Sequence, residues 1–258
     1  MKKKKSPQVV AERIICEKTQ GIRILRQTPL NERGSTLLHL PKACQRQILH
    51  ELSNKEISSI LHYLDPDEAT DLLQNLPRFR HDHIIGAINR DTKQKIEFLL
   101  KFDPHTAAGI MNLNYITVEK AERFGDVLKA AKKHEQRTAQ YPVILVVDKG
   151  FLIGELRGYV IALHKKSERI TRHIHPIPRV AYDAEEREVV SVFKKNPHHK
   201  VAVLNKDDSI IGVIQSDMIL SIIQKRSDQS LYGFAGVHEE EDIFDTPLTK
   251  VKHRYRWR

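Results

Sequence analysis

Hydrophobic residues between positions 40 and 100 recur every twelve residues, and a polar residue or proline follows each one: Leu40, Leu52, Leu64, Leu76, Ile88 and Leu100. The segment "LDPDEATDLLQNLP" shows the unit, with Asp65 as an N-cap, Pro66 at the first helical position and Leu72, Leu73 and Leu76 on one face. A helix of two turns cannot bury such a face alone. The pattern therefore predicts stacked short helices forming an α-superhelix, with an irregular helical bundle as the alternative.

The hydrophobic period changes after the segment "FDPHTAAGIMNLNYITV", which ends at residue 118. The segment "YPVILVVDKGFLIGEL" contains a β-branched run, a turn at residues 148–150 and a second run, which predicts a hairpin after a helix near residues 121–135. The pattern recurs in "IPRVAY", "AEEREVVSVFKKN" and "KVAVLNKDDSIIGVIQSDMILSIIQ", where Gly212 matches Gly154. We therefore predict two βαββα units that pack as a pseudo-symmetric pair.

Composition is typical of a folded protein of a reducing compartment. Hydrophobic residues make up 40% of the 258 residues, and Cys16 and Cys44 are too few for a disulfide framework. The longest aliphatic run, residues 143–147, is far shorter than the roughly 20 residues of a membrane-spanning helix, and no signal peptide is evident. We therefore expect a cytoplasmic location, with the inner face of the membrane as a further possibility.

The net charge of +10 is concentrated partly at the chain ends, in residues 2–5 and in five basic residues among the last nine. Neither zinc-finger spacing nor an aromatic RNA-binding signature accompanies it, so nucleic acid is not a favoured partner. Trp257 among arginines is instead typical of a segment at a membrane surface. The chain has no nucleophile elbow and no Walker motif, and the paired histidines lack further zinc ligands, so we do not predict an enzyme.

Three phrases occur in an order that resembles a known family. They are "AAGIMNLNYITV" (Ala107 to Val118), "GVIQSDMILSII" and "FAGVHEEEDIFDTPLTKVKHRYRWR". Together with the helical rhythm, they resemble the cytoplasmic region of the MgtE family of magnesium channels and transporters, without the transmembrane domain. The resemblance implies an α+β multi-domain fold: an N-terminal α-helical superhelix, a tandem CBS (βαββα) pair and a C-terminal connecting helix.

The domain boundaries follow from the same resemblance. Residues 1–36 are predicted to be a basic, partly disordered N-terminal segment, and residues 37–106 the MgtE-type superhelical domain. The first CBS unit covers 107–176 and the second covers 177–231. Residues 232–258 form the connecting segment that leads to the membrane in the family.

The resemblance also implies a divalent-cation sensor that gates a pore and transports nothing itself. In the family, acids on facing domains repel each other and Mg²⁺ bridges them. Here six positions that are commonly acidic carry other residues: His105, Met218, Ser221, Arg226, Gln229 and Ser230. The remaining candidate ligands for a weak Mg²⁺ site are Asp103, Asp217, Glu239, Glu240, Glu241, Asp242 and Asp245.

The alternative function is a stand-alone CBS-pair regulator that binds an adenine nucleotide or a partner protein. CBS pairs that bind nucleotides carry a hydroxyl three residues after the glycine and an aspartate six residues after it. Here Gly154 is followed at these positions by Arg157 and Val160, and Gly212 by Gln215 and Met218. Arg157 remains a candidate for a nucleotide cleft. By analogy we expect a homodimer through the CBS pair and, as further partners, a transmembrane pore domain or a membrane surface contacted by the basic C-terminus.

Overall fold

A computed structural model describes residues 6–138, 140–195, 200–220 and 222–223. These residues form two compact units. One contains residues 6–98 together with 222–223, and the other contains residues 99–220. No helix within the described ranges is long and apolar enough to cross a membrane.

The first unit is helical. Its elements are α1 (Pro7–Cys16), a 3₁₀ turn (Lys18–Gln20), α2 (Gly21–Gln27), α3 (Leu30–Leu38), α4 (Lys42–Glu51), α5 (Asn54–Leu61), α6 (Pro66–Leu73), α7 (Arg78–Ile85) and α8 (Arg90–Leu99).

The twelve-residue rhythm corresponds to one helix and one corner. Helices α4 to α8 each lie between two successive members of the apolar series. Four members end the preceding helix in the same way, by donating their N–H to the carbonyl three residues earlier at 2.9–3.2 Å: Leu40, Leu64, Leu76 and Ile88. Each of these four residues therefore closes one helix with a tight turn, and four of the six members of the series are buried: Leu40, Leu52, Leu76 and Ile88. The prediction of short helices separated by corners is confirmed.

The prediction that residues 1–36 are partly disordered is wrong for the described part of that segment. Residues 7–38 form α1 to α3, and Ser6 caps α1 with its hydroxyl. Leu25 and Leu37 are completely buried. The basic residues of this segment suggested disorder, but its apolar residues fall on one face of each helix and pack into the core. Arg26 also pairs with Glu56, with 2.9 Å between Nε and Oε1, which links α2 to α5.

The second unit contains the two sheets. Its elements are α9 (Ala107–Ile110), β1 (Tyr115–Glu119), α10 (Phe124–Thr138), β2 (Val143–Asp148), β3 (Phe151–Leu156), α11 (Gly158–Leu163), a 3₁₀ turn (Ile170–His173), β4 (Arg179–Ala181), α12 (Glu186–Lys195), β5 (Val201–Leu204) and β6 (Ile210–Ile214). Residues 216–220 are also helical.

Both sheets have the same topology, in the orders β1-β2-β3 and β4-β5-β6. In each sheet the first pair of strands is parallel and the second is antiparallel, with an irregularity in the second pair. This repeated arrangement confirms the predicted duplication. It also confirms the mixed α+β class.

In each βαββα unit, a glycine in the third strand leaves room for another segment of the chain to pair beside that strand. His175 pairs with Glu155 beside Gly154, and Asn112 pairs with Val213 beside Gly212. A Cβ on Gly154 would overlap the carbonyl of His175, and a Cβ on Gly212 would overlap the side chain of Met111. The lack of a side chain at Gly154 and Gly212 therefore allows these neighbouring segments to pack closely against the two strands.

The two sheets share an apolar core. Residues of both contribute to it: Val143, Leu145, Leu152, Ala202, Leu204 and Val213. The Tyr115 hydroxyl donates a hydrogen bond to the carbonyl of Ile210 at 3.1 Å across this region. The opposite face of β2 packs on α10 and α11 through Ile144 and Val146. Strand β2 is thus buried on both faces, as its unbroken aliphatic run indicates.

Candidate ligand and metal sites

A buried carboxylate and a guanidinium stand together at the end of β3. Glu155 pairs in register with Leu145, so its side chain lies on the face that contributes to the core between the sheets. Its side chain is 7% exposed, and Arg157 Nε lies 3.8 Å from Oε1. Arg157 is 39% exposed and occupies the N-cap position of α11 without making a side-chain cap bond.

In the part of the chain that the structure describes, neither charged side chain makes a hydrogen bond. The 3.8 Å separation is an ion pair but is too long for a hydrogen bond. A buried carboxylate without hydrogen-bond donors is costly, because an ion pair at 3.8 Å only partly replaces the water that the carboxylate has lost. The matching position in the second sheet is the apolar Val213. Comparison of "FLIGEL" with "SIIGVI" could have identified Glu155 from sequence, but only Arg157 was predicted.

Asp103 is exposed and organises the junction before α9. Its Oδ1 accepts the N–H of His105 at 2.8 Å, and its carbonyl accepts the hydroxyl of Thr106 at 2.8 Å. The His105 Nδ1 lies 3.4 Å from Glu186 Oε1, at the start of α12. The carboxylate of Asp103 therefore stabilises the turn before α9 by a hydrogen bond, and the His105–Glu186 pair lies beside this turn.

Asp217 is exposed in the first turn of helix 216–220. The described residues contain no group of three His, Cys, Asp or Glu side chains that could hold a metal ion, so Asp103 and Asp217 do not form such a group there. The other predicted ligands lie outside the described residues: Glu239, Glu240, Glu241, Asp242 and Asp245.

Several acidic residues that were not predicted as metal ligands lie together at and near the start of α6: Asp65, Asp67, Glu68 and Asp71. Burial, together with repulsion from the neighbouring carboxylates of Asp65, Glu68 and Asp71, raises the pKa of Asp67 to about 7. Burial also raises the pKa of Glu68, whose side chain accepts the N–H of Asp65. Each of these carboxylates makes ionisation of its neighbours less favourable. A cation placed among them would relieve this repulsion.

Two half-buried histidines, His164 and His173, pack against a core aromatic ring. The ring of His164 stacks on Phe124 at 5.0 Å between centroids, and His173 lies 4.0 Å from His164. Glu168 accepts a hydrogen bond from His164 at 3.0 Å, and this bond lowers the pKa of Glu168. The cluster closes the loop 164–173 over the start of α10.

Comparison with known proteins gives a consistent result for the N-terminal part of the chain. Residues 12–105 match the family model of the MgtE intracellular N domain. Two curated magnesium transporters named MgtE are each 21% identical to this chain, one from Thermus thermophilus over 170 residues and one from Enterococcus faecalis over 165 residues. The matches cover 64% and 63% of this chain but 38% and 36% of those proteins. The chain therefore spans less than two fifths of their length.

Solved structures extend the similarity to the sheets. The cytosolic domain of the Mg²⁺ channel MgtE, in complex with ATP, has a TM-score of 0.75 and 21% identity, over 84% of this chain and 90% of that one. The soluble part of a magnesium transporter has a TM-score of 0.64 and 14% identity, over 86% of this chain and 98% of that one. At these identities the matches establish the fold. The chain thus resembles the cytosolic region of the MgtE magnesium transporters, in sequence over residues 12–105 and in fold over most of its length.

Proposed function

We propose that this chain is a cytoplasmic regulatory module that responds to a divalent cation, with Mg²⁺ as the physiological ion, and that it transports no ion itself. The observation that carries this proposal is the combination of an MgtE intracellular N domain match with the fold of an MgtE cytosolic domain. The absence of catalytic motifs from the sequence is consistent with a regulatory role. We also propose that the chain is part of a larger assembly that transports magnesium.

The acidic groups supply the physical basis of the response. The pKa of Asp67 is raised to about 7, so its carboxylate is already disfavoured in the folded protein. Mg²⁺ prefers carboxylate oxygens and keeps several waters, which suits sites with one or two acids each. We propose Asp103, Asp217 and the acidic run 239–245 as further contributors. A cation that binds the compact state more tightly shifts the population toward it.

Small-angle scattering of the whole chain during a MgCl₂ titration tests this proposal. We expect the radius of gyration to fall and to saturate at millimolar Mg²⁺, while KCl at matched ionic strength has little effect. The Asp217→Asn and Asp103→Asn variants should require more Mg²⁺, and Asp183→Asn, an exposed aspartate outside the proposed set, serves as the control. An unchanged radius of gyration across the titration would show that the module does not respond to Mg²⁺ in this way.

The proposed partners are a second copy of the chain and a pore domain in the membrane. Helix α11 presents Tyr159 and Leu163 to solvent, at 59% and 72% exposure, and these one-turn neighbours suit an apolar contact with another CBS pair. Sedimentation equilibrium should show a dimer that Leu163→Glu weakens. The basic C-terminal residues are proposed to contact anionic lipid, which vesicle binding with residues 250–258 changed to neutral side chains would test.

A second candidate function is regulation by a nucleotide that binds the CBS pair. The specific observation in its favour is the ion pair of Glu155, on the inner face of the first sheet, with Arg157 at the start of α11, since neither side chain makes a hydrogen bond within the described residues. The structural relative with the same fold was solved in complex with ATP. Neither copy here has the hydroxyl and aspartate of the usual signature, so a nucleotide would require different contacts. Calorimetric titration with ATP tests this candidate separately from Mg²⁺.

A further inference from the structure

Two histidine rings and a core aromatic ring form a stack where loop 164–173 meets the start of α10. The rings of His164 and Phe124 are nearly parallel, with an angle of 10° and 5.0 Å between their centroids. The ring of His173 lies 4.0 Å from that of His164 and 5.4 Å from that of Phe124. The two imidazoles therefore contact each other directly, and both pack on a phenyl ring that is buried.

Within the described residues, one carboxylate, that of Glu168, contacts these imidazoles. Its Oε2 lies 3.0 Å from His164 Nδ1, and its Oε1 accepts the N–H of Lys165 at 3.2 Å. The hydrogen bond from His164 lowers the pKa of Glu168, so this carboxylate stays charged in mildly acidic solution. One negative charge compensates one imidazolium, and His173 has no ion pair in the described part of the chain.

The other charged side chains on the elements around the stack supply little compensation. On the first turn of α10, Asp126 pairs with Lys129. At the end of β1, Lys120 pairs with Asp148. The remaining charged or titratable residues of these elements are mostly basic: Glu119, Glu122, Arg123, Tyr159, Lys165, Lys166, Arg169, Arg172 and His175. A second positive charge on the histidine pair therefore meets repulsion.

We propose that His164 and His173 form a pH-sensitive latch: loop 164–173 stays closed over α10 while at most one of the two rings is protonated, and it opens when both are. Histidine is the side chain whose charge ordinarily changes between about pH 5 and 8. The first proton strengthens the hydrogen bond to Glu168, whereas the second places like charges on rings 4.0 Å apart. Because the open loop separates the rings, it binds the second proton more readily, and acidification favours it.

Opening of the latch releases the contacts that attach the loop to two helices. The N–H of Phe124 donates to the carbonyl of Glu168 at 3.0 Å, and the N–H of Gly125 donates to the carbonyl of Lys166 at 2.9 Å. Both are donors of the first turn of α10, which have no partner inside that helix. His164 also occupies the C-cap position of α11, so opening frees the end of that helix as well.

Hydrogen exchange at the Phe124 and Gly125 amides measures the opening, with each rate expressed as a protection factor so that the intrinsic pH dependence of exchange is removed. We expect protection at these two amides to fall at least about 10-fold between about pH 7.5 and about pH 5, because like charges at this separation repel strongly even with solvent nearby. Amides of β2, which is buried on both faces, should keep their protection.

A single substitution removes the second proton and keeps the stack. His173→Phe retains an aromatic ring beside His164 but cannot be protonated, so the loop should stay closed and the pH dependence should disappear. A protonated His164 then lies beside a phenyl ring, which is a favourable cation–π contact. The matched control is His50→Phe, which replaces an exposed histidine of α4 and should retain the full loss of protection.

The comparison of the two pH values in the unmodified chain requires no variant. Equal protection of Phe124 and Gly125 at both values would overturn the latch. An undiminished loss of protection in His173→Phe would also overturn it, and so would a parallel loss in β2, because acid would then loosen the whole unit rather than the loop. None of these outcomes depends on the proposed response to Mg²⁺.

Discussion

The junction at Glu56 allows a quantitative test of how the first unit is held together. Glu56 accepts the N–H of Ser53 at 2.9 Å and Ser53 Oγ accepts the N–H of Glu56 at 3.2 Å, which forms a capping box at the start of α5. The same carboxylate receives Arg26 Nε at 2.9 Å from α2. One side chain therefore caps a helix and joins two helices that are 30 residues apart in sequence.

We predict that Glu56→Ala lowers the free energy of unfolding by about 2 kcal/mol. Loss of the cap contributes about 1 kcal/mol, and loss of the partly exposed ion pair contributes up to about 1 kcal/mol. Urea unfolding followed by circular dichroism at a helix-sensitive wavelength measures the change. The control is Glu17→Ala, since the Arg13–Glu17 pair has the same 2.9 Å distance but connects residues within one turn at the end of α1. That control should cost about 0.5 kcal/mol.

The effect of Glu56 should also depend on pH. The hydrogen bond from Arg26, followed by that from the Ser53 backbone, lowers the pKa of Glu56 from 4.5 to about 2. The carboxylate therefore contributes its full stabilisation above pH 4.5, and the contribution is lost as the pH falls toward 2. The reasoning is refuted if Glu56→Ala costs no more than Glu17→Ala at neutral pH, or if its cost is the same at both ends of this range.

Two further substitutions test other parts of the structure. Burial raises the pKa of Asp67 from 3.8 to about 7, so the folded protein binds more protons than the unfolded chain between these values, and stability from this group falls as the pH rises through them. Asp67→Asn should therefore raise stability at pH 7 by about 2 kcal/mol, roughly half of what the full shift corresponds to, because the half-buried side chain keeps some contact with solvent. The substitution should also flatten the pH profile measured by urea unfolding, and a variant that is less stable at pH 7 would contradict this. Gly154→Ala should destabilise the second unit by at least about 2 kcal/mol, because the new Cβ overlaps the His175 carbonyl, and a melting temperature equal to that of the unmodified chain would contradict the close packing.

The sequence predicted those features that depend on local spacing. The twelve-residue series identified the corners of the first unit because one apolar residue closes each short helix. The duplicated hairpin identified both sheets because β-branched runs and turns recur at matching positions. The N-terminal segment was misread, because its lysines and arginines are more conspicuous in the sequence than the apolar residues that α1 to α3 bury.

Local spacing could not predict the environment of individual polar side chains. Arg157 was identified by counting from Gly154, but Glu155 was missed, although the structure places the two within 3.8 Å. The contact of His173 with the ring of His164 likewise has no signal in the local sequence. The predicted metal ligands Asp103 and Asp217 remain proposals, because neither spacing nor the described geometry assembles them into a site.

By itself, the sequence determined the types of element, their order and the duplication, because these follow from periodicity and from turn and cap residues. The tertiary structure alone decided which charges lost contact with water. Whether Glu155 is solvated depends on the register of β3 against β2, and the raised pKa of Asp67 depends on the packing around the first turn of α6. The physical reason is that a helix or strand forms through neighbouring residues, whereas the desolvation of a charge depends on groups that are distant in sequence and meet only in the folded chain.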